Sequence, residues 1–364
     1  MRQVTIVCML SVVLLAGCWD ERLYKNLAVI SIAGIEGHMG ELKAYYAYPS
    51  SPNDPTKVAI VESEGLTPRD VRNKADLKTA LTLDLSELST YLMAEESAHD
   101  DIYPFLDIFF RNAQNPVTTK FAITKGSPKD FIDVKKPLPS GLGAYYQDFI
   151  ESVERDSVFP KGLDIQQAGS MLFEEGQDLV LPYLNRDEKN KTPIAEGLAL
   201  FNGRKFTGTT LGLRDSLLLV LAAYGKADYA RLSYIFEEKD KKTPLTVDII
   251  RYKKKIKIQE QGKSAKVYLN STFEVNIDEY PLDHISEKKV KNKLEKFLEK
   301  KIKNETLKMM KKCQDASSDP IGIGKKARIS RSKIWKEGHW KEVYKTLDFK
   351  VNVNVKIIRS GILK

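Results

Sequence analysis

The stretch Leu15-Ala16-Gly17-Cys18 constrains this chain most, because it sets where the folded part stands relative to a membrane. A short apolar segment, Val4 to Leu15, precedes it behind a single basic residue, Arg2. About a dozen residues rise only ~18 Å as a helix, too little to span a ~30 Å hydrocarbon core. A basic start, a short apolar run and small residues at the end have the form of a secretory signal peptide. A cysteine at the cleavage position turns that form into a lipobox. The thiol of Cys18 takes a diacylglyceryl group as a thioether, and small Ala16 and Gly17 pass through a peptidase cleft. Cleavage leaves Cys18 as an N-terminus carrying at least two acyl chains. Two chains anchor stably where one binds marginally, at ~0.8 kcal/mol per buried CH₂.

Residues 1–17 are therefore read as the signal peptide, and Cys18 as the lipidation site. The remaining length suits two or three domains of roughly 100–200 residues. Apolar residues at 42% and charged residues at 29% suffice for a sizeable core. No later stretch holds eighteen consecutive apolar residues. Cys8 leaves with the signal and Cys18 is lipidated, so Cys313 has no partner for an intramolecular disulfide. The charge is asymmetric. Residues 18–200 carry 19 basic against 29 acidic side chains, and residues 201–364 carry 38 against 20. Nucleic acid is not a partner for an exported chain. The basic half is expected either to meet anionic lipid, wall polymer or an acidic protein, or to be a solvated lysine-rich surface.

Along the chain, Leu27 to Ile35 reads as one buried strand closed by glycine, with Leu42 to Tyr48 its neighbour and Lys57 to Ser63 a further strand. Thr67-Pro68-Arg69-Asp70 opens a helix, with Thr67 as cap, whose apolar face uses Val71, Ala75, Leu77 and Leu81. Leu88 to Glu95 and Thr118 to Thr124 are strands, separated by a helix through Phe105 and Phe109. Helices follow from Leu142 to about Val158 and, behind an Asp164 cap, from Ile165 to Phe173. Asn185 to Thr192 is polar and charged, a candidate linker. Asn202-Gly203 marks a hairpin, and Leu211 to Ala223 an apolar helix. Thr246 to Gln259 and Ser264 to Ile277 are long strands of an antiparallel sheet. Val290, Leu294, Phe297, Leu298, Ile302 and Met309 fall at helical steps between Ile285 and Cys313, and Leu347 to Ile358 alternates as a closing strand. The expected fold class is α+β, multi-domain: a mixed α/β region over 18–200, then an α+β domain over 201–364 with an antiparallel sheet covered by the long helix.

Catalytic signatures do not emerge. His38, His99, His284 and His339 share no metal-ligand spacing, and no GxSxG elbow occurs. Gly322-Ile323-Gly324-Lys325-Lys326 lacks the full phosphate-loop pattern and reads as a helix-terminating turn. The carboxylate pairs Glu95-Glu96, Asp100-Asp101 and Glu174-Glu175 are adjacent in sequence, whereas catalytic pairs come from separate elements. Tyr45, Tyr46 and Tyr48 either line a groove or sit in a half-exposed strand. No catalytic residue, cofactor or metal is assigned, and the chain is expected not to be an enzyme.

Several landmarks fall in a recognisable order. They are Gly17-Cys18-Trp19-Asp20-Glu21-Arg22, the run ending Ala33-Gly34-Ile35, Ile102-Tyr103-Pro104-Phe105-Leu106-Asp107-Ile108-Phe109-Phe110-Arg111-Asn112, and Gly197-Leu198-Ala199-Leu200-Phe201. Asp319-Pro320-Ile321-Gly322-Ile323-Gly324, Trp335 and the closing strand before Gly361 complete the set. In this order they resemble the C-subunit lipoproteins of bacterial spore germinant receptors, the Ger(x)C family. Glu36 stands where the family's pattern has Asp. The resemblance implies several mixed α/β domains, lipid-anchored on the outer face of the spore inner membrane. It implies assembly with an A-type and a B-type integral-membrane subunit, the latter resembling an amino-acid transporter. The implied role is in nutrient germination, without catalysis, and only Cys18 transfers as a site. Which nutrient is sensed, and whether this subunit binds it, stay open. The alternative is an extracytoplasmic solute-binding lipoprotein delivering a nutrient to a permease. That class usually shows two similar lobes, which the unlike halves here do not suggest.

Overall fold

The computed structural model describes residues 26–359 apart from 52–53, 55–56, 135–137, 139–140, 190–191, 226–228, 239–240, 263, 283–286 and 336–338. Cys18, the signal segment, His284 and Gly361 lie outside the described residues. Expected as one strand, Leu27 to Ile35 is two: β1 (Leu27–Val29) and β2 (Ile32–His38). At the break the Ile30 N–H donates to Asp84 O at 2.8 Å and the Ser31 N–H to Ala47 O at 3.0 Å. The chain thus changes partners between two sheets, which an unbroken apolar run does not reveal. β3 (Glu41–Pro49) and β4 (Val58–Gly65) follow as a meander.

Helix α1 (Pro68–Asp76) begins as its sequence requires. Thr67 Oγ1 accepts from the Asp70 N–H at 3.1 Å, and Asp70 Oδ2 accepts from the Leu66 N–H at 2.9 Å, a reciprocal cap. Its buried face is Val71, Arg72 and Ala75; Leu77, expected on that face, sits at the C-cap and is 87% exposed. β5 (Thr82–Asp84) pairs with β1. Then come β6 (Thr90–Ala94), α2 (Glu95–Ala98), α3 (Tyr103–Arg111), β7 (Lys120–Thr124), α4 (Lys129–Ile132), α5 (Leu142–Arg155) and α6 (Ile165–Leu172). Asp164 caps α6 by accepting from the Gln167 N–H at 2.8 Å. β8 (Val180–Arg186), β9 (Pro193–Asn202) and β10 (Lys205–Gly212) complete an eight-stranded sheet, ordered β10-β9-β8-β7-β6-β2-β3-β4.

Its four central strands are mutually parallel and its margins are antiparallel hairpins. Strands buried on both faces read as continuous apolar runs, as β6 and β7 do. Tyr45 and Tyr46 project to opposite faces of β3 into two separate cores, at 1% and 6% exposure, so they are packing residues and not a groove. The expected linker Asn185 to Thr192 joins β8 to β9, an antiparallel pair in register from Val180↔Leu200 to Arg186↔Pro193. It is a hairpin connection, not a tether. Position 200/201 falls inside β9, whose ladder with β10 runs across it.

Helix α7 (Leu213–Tyr224) is buried from Ser216 through Ala222 because it lies between β9, β10 and the long helix of the second half. Its C-terminus is closed by Gly225 at φ 72° and by Lys254, whose Nζ donates to Ala223 O at 2.5 Å and to Ala222 O. Burial lowers the Lys254 ammonium to about 8. The second sheet is ordered β11 (Arg231–Glu238), β12 (Lys241–Gln261), β13 (Ser264–Glu279), β14 (Asp348–Arg359). The first three strands are antiparallel, as expected for β12 and β13. β14 corrects that expectation, since it runs parallel to β13 from Lys266↔Asp348 to Val275↔Ile357. A parallel return requires a long crossover, and residues 280–347 supply it.

That crossover contains α8 (Lys288–Asp315), α9 (Ile323–Ile329) and α10 (Trp340–Lys345). Leu294, Leu298, Ile302 and Met309 of α8 are buried in the core beneath the sheet. The Glu295 and Glu299 carboxylates accept from the Ile357 and Val355 N–H groups at 2.9 and 3.1 Å. Two free donors of the edge strand β14 are thereby satisfied, and an exposed pairing edge is covered.

Candidate functional site

Asp319 is the most elaborately held side chain in the fold. Only 1% exposed, its carboxylate accepts from the N–H groups of Gly322 (3.1 Å), Ile323 (3.1 Å) and Gly324 (2.8 Å), and from Trp340 Nε1 (3.0 Å). Asp178, at the entry to β8, meets the Asp319 backbone through both its carboxylate and its own N–H. The Asp319 N–H donates to Asp178 Oδ2 at 2.7 Å, and the Asp178 N–H donates to Asp319 O at 3.0 Å. Asp178 Oδ1 also accepts from the Gly203 N–H, at 2.7 Å, in the β9–β10 turn. Four segments distant in sequence are therefore knotted through two carboxylates.

Glycine is obligatory at two points of this knot. Gly176 has φ 81°, and a Cβ there would stand 2.5 Å from the Gly324 carbonyl carbon and the Lys325 nitrogen. A Cβ on Gly324 would stand 2.4 Å from Trp340 Nε1. The close approach permits the Lys325 N–H to reach Gly176 O at 2.8 Å. Around it, Glu174 pairs with Lys325 at 2.9 Å and with Arg328, while Glu175 pairs with Arg328 at 3.4 Å. Gln177 Nε2 donates to Pro320 O at 3.1 Å, and the Trp335 and Trp340 rings lie 5.7 Å apart.

Burial raises Asp319 to about 7, against the pull of the backbone donors, and the neighbouring Asp178 adds to the rise. Burial raises Asp178 as well. The three backbone donors that a phosphate would need at the start of α9 are taken by Asp319 itself. The segment 322–326 opens α9 behind an internal anion; it does not merely end α8. A carboxylate enclosed by four donors and removed from solvent is a structural clamp and not a reactive group.

The other carboxylate pairs are spoken for singly. Glu95 accepts from Tyr183 OH at 2.5 Å, Asp100 pairs with His38 at 2.6 Å, and Asp101 lies 3.5 Å from Arg204. The His38 imidazole, exposed, is raised by its hydrogen bond to Asp100. His99 packs on Phe206, with ring centroids 5.0 Å apart. Cys313 is fully buried and its thiol is pushed far up by burial. Among the described residues no three His, Cys, Asp or Glu side chains gather to hold a metal ion. An open cleft of about 900 Å³ runs between α1 and α3, past Thr67, Arg69, Tyr103 and Asp107. The sequence marked Asp319 through Gly324 as distinctive, but Asp178, Gly176 and Trp340 were not anticipated. Their only signal is chemical type, since their proximity depends on long-range topology.

Comparison with known proteins gives this arrangement its class. Residues 20–186 match the family described as spore germination protein N-terminal domain, and residues 196–361 match spore germination B3/GerAC like, C-terminal. Spore germination protein GerQC of Bacillus cereus is 23% identical over 356 residues, 96% of each chain. The putative spore germination protein YfkR of Bacillus subtilis (strain 168) is 21% identical over 384 residues, covering 98% of this chain and 96% of that one. Spore germination protein B3 of Bacillus subtilis (strain 168) is 31% identical over 127 residues, 34% of each chain. The crystal structure of the GerBC protein shares the fold with a TM-score of 0.62 at 17% identity, covering 87% of this chain and 94% of that one. The class is thus that of proteins named for spore germination. The chain belongs to the Ger(x)C family of germinant-receptor C subunits, as the sequence landmarks implied.

Proposed function

We propose that this chain is the lipid-anchored C subunit of a nutrient germinant receptor, attached through Cys18 at the outer face of the spore inner membrane. It acts there by binding and assembly with an A-type and a B-type integral-membrane subunit, and it performs no catalysis. One observation carries the reading. The family's N-terminal region begins at residue 20, directly behind Cys18, and its C-terminal region follows in order to residue 361. Nearly all of the chain behind the lipobox is thus matched, in two successive stretches, and the first starts two residues after the cysteine that a lipid would occupy. No helix of the described residues is long and apolar enough to cross a membrane; the proposed attachment is through two acyl chains on Cys18, which anchor stably where one binds marginally.

Triton X-114 partitioning of extracts containing wild type or Cys18→Ala tests the attachment. The wild type enters the detergent phase and the variant moves to the aqueous phase, with spore germination by nutrients impaired. A variant that stays in detergent, or spores that germinate normally with an aqueous protein, would contradict the proposal.

A further inference from the structure

The second sheet has one covered face and one open face. Strand periodicity puts Leu269, Phe273 and Val275 of β13 inward, in the core shared with α8. Outward on the same strands stand Lys253, Lys255 and Lys257 of β12, Lys266 of β13, and Lys350 and Lys356 of β14. Register places them in straight rows. Lys253 faces Thr272 and then Asn354, Lys255 faces Asn270 and then Asn352, and Lys257 faces Tyr268 and then Lys350. Over the rows from Arg251 to Gln259 the face carries seven cations and two carboxylates. Both carboxylates are matched within it, Glu274 by Arg251 at 2.8 Å and Asp348 by Lys350 at 3.0 Å. Lys253, Lys255, Lys257, Lys266 and Lys356 form no ion pair among the described residues.

With strands ~4.8 Å apart and same-face neighbours ~6.8 Å apart, these charges occupy a patch roughly 10 Å by 27 Å. The ammonium groups of adjacent lysines thus lie within about one Debye length of each other, ~8 Å at physiological salt, and act as one field. At the centre is a shallow depression of about 350 Å³, floored by Asn270 and Asn352 and walled by Lys253 and Lys255. Asn352 Nδ2 donates to Asn270 Oδ1 at 2.9 Å, which fixes the floor as a rigid polar pair. On α8, by comparison, Lys293, Lys311 and Lys312 are engaged by Glu238, Asp315 and Asp215.

We infer that this open sheet face docks on an anionic phospholipid bilayer, with the central depression seating a phosphate headgroup between Lys253 and Lys255. A net-positive face with its acids internally neutralised is complementary in charge to a surface of negative headgroups, and Tyr268 suits the interfacial zone. The inference deepens the lipid-anchored reading. An acyl tether fixes one point of the protein, and the face would fix its orientation as the second membrane signal.

The test uses the full mature chain carrying Cys18→Ala, so that binding by the face is measured apart from binding by the lipid. The probe is co-sedimentation with vesicles of equal parts phosphatidylglycerol and phosphatidylcholine, against pure phosphatidylcholine. The expected result is binding to the anionic vesicles alone, lost at raised salt and unaffected by excess inorganic phosphate. Combining Lys253→Glu, Lys255→Glu and Lys257→Glu should reduce it at least tenfold, whereas Lys300→Glu, Lys303→Glu and Lys308→Glu on α8 should not. Thermal melting confirms that each variant folds, and Lys→Gln at the same three positions serves if the reversals do not. No binding, equal binding to neutral vesicles, or loss only with the α8 variants would overturn the inference. So would a sheet variant that keeps vesicle binding but loses co-purification with another receptor subunit, which would assign the face to an acidic protein. Detergent partitioning of the chain with its native Cys18 is scored separately, so failure of the face and failure of the anchor give different results.

Discussion

The indole N–H of Trp340 donates to the buried carboxylate of Asp319 at 3.0 Å, so a residue of α10 closes a cage otherwise made of backbone donors. Asp319→Ala would leave three buried backbone N–H groups and the indole without an acceptor. Each orphaned buried donor costs about 1–3 kcal/mol, against a total stability of ~5–15 kcal/mol. The variant is expected to lose most of its stability in urea denaturation. A midpoint like that of the wild type would show that the cage is dispensable.

The same carboxylate gives a pH signature. Its folded value of about 7 stands above the 3.8 expected when unfolded, so between those limits the folded chain holds the extra proton. Stability from this group is therefore fully present below about pH 4 and is lost as pH rises through 7. The melting temperature of the wild type minus that of Asp319→Asn should fall across this window, since subtraction cancels the titrating groups that do not interact with Asp319. A difference that is flat or rises with pH contradicts the assignment.

Lys120 and Glu154 form a second buried contact, 2.7 Å apart at 8% and 7% exposure, with Glu154 also accepting from the Gly162 N–H at 3.0 Å. Removing one partner strands the other charge, at a cost of roughly 3–5 kcal/mol. Lys120→Met alone should destabilise by about that amount, and Lys120→Met with Glu154→Leu by less than the two single changes together. A double-mutant cycle in urea reads the coupling, and strict additivity would deny it.

Leu294 is fully buried on α8, whereas Phe297 is half-buried and stands edge-on to Tyr234 and Phe236 at ring-centroid distances of 6.1 and 5.1 Å. Leu294→Asp buries an unpaired charge and should cost several kcal/mol, while Phe297→Asp, with a path to water, should cost less. Thermal melting separates the two. Equal melting temperatures for both variants and the wild type would show that this face of α8 is not core.

How much of this was legible follows from the range of the interactions. Local chemistry was readable: Thr67 and Asp164 cap the helices expected of them, and the alternation of Val267 through Ile277 reappears as alternate burial along β13. The parallel pairing of β14 was not readable, because alternation reports which faces are buried and is silent on strand direction. The same limit hid the break at Ile30-Ser31, where every residue stays apolar or small while the hydrogen-bond partner changes. Asp319 stood out in sequence, but its environment comes from Gly176, Asp178, Gly203 and Trp340, brought together only by tertiary topology. The lysine face was not read from sequence: only the register with Asn270 and Asn352 turns Lys253, Lys255 and Lys257 into one surface.

The central claim, a receptor subunit that acts by assembly, is tested most directly by affinity purification of the tagged, lipidated chain from detergent-solubilised spore membranes. The account predicts recovery of one A-type and one B-type integral-membrane subunit with it. Recovery of the chain alone, or with a permease and no A-type subunit, would contradict the account.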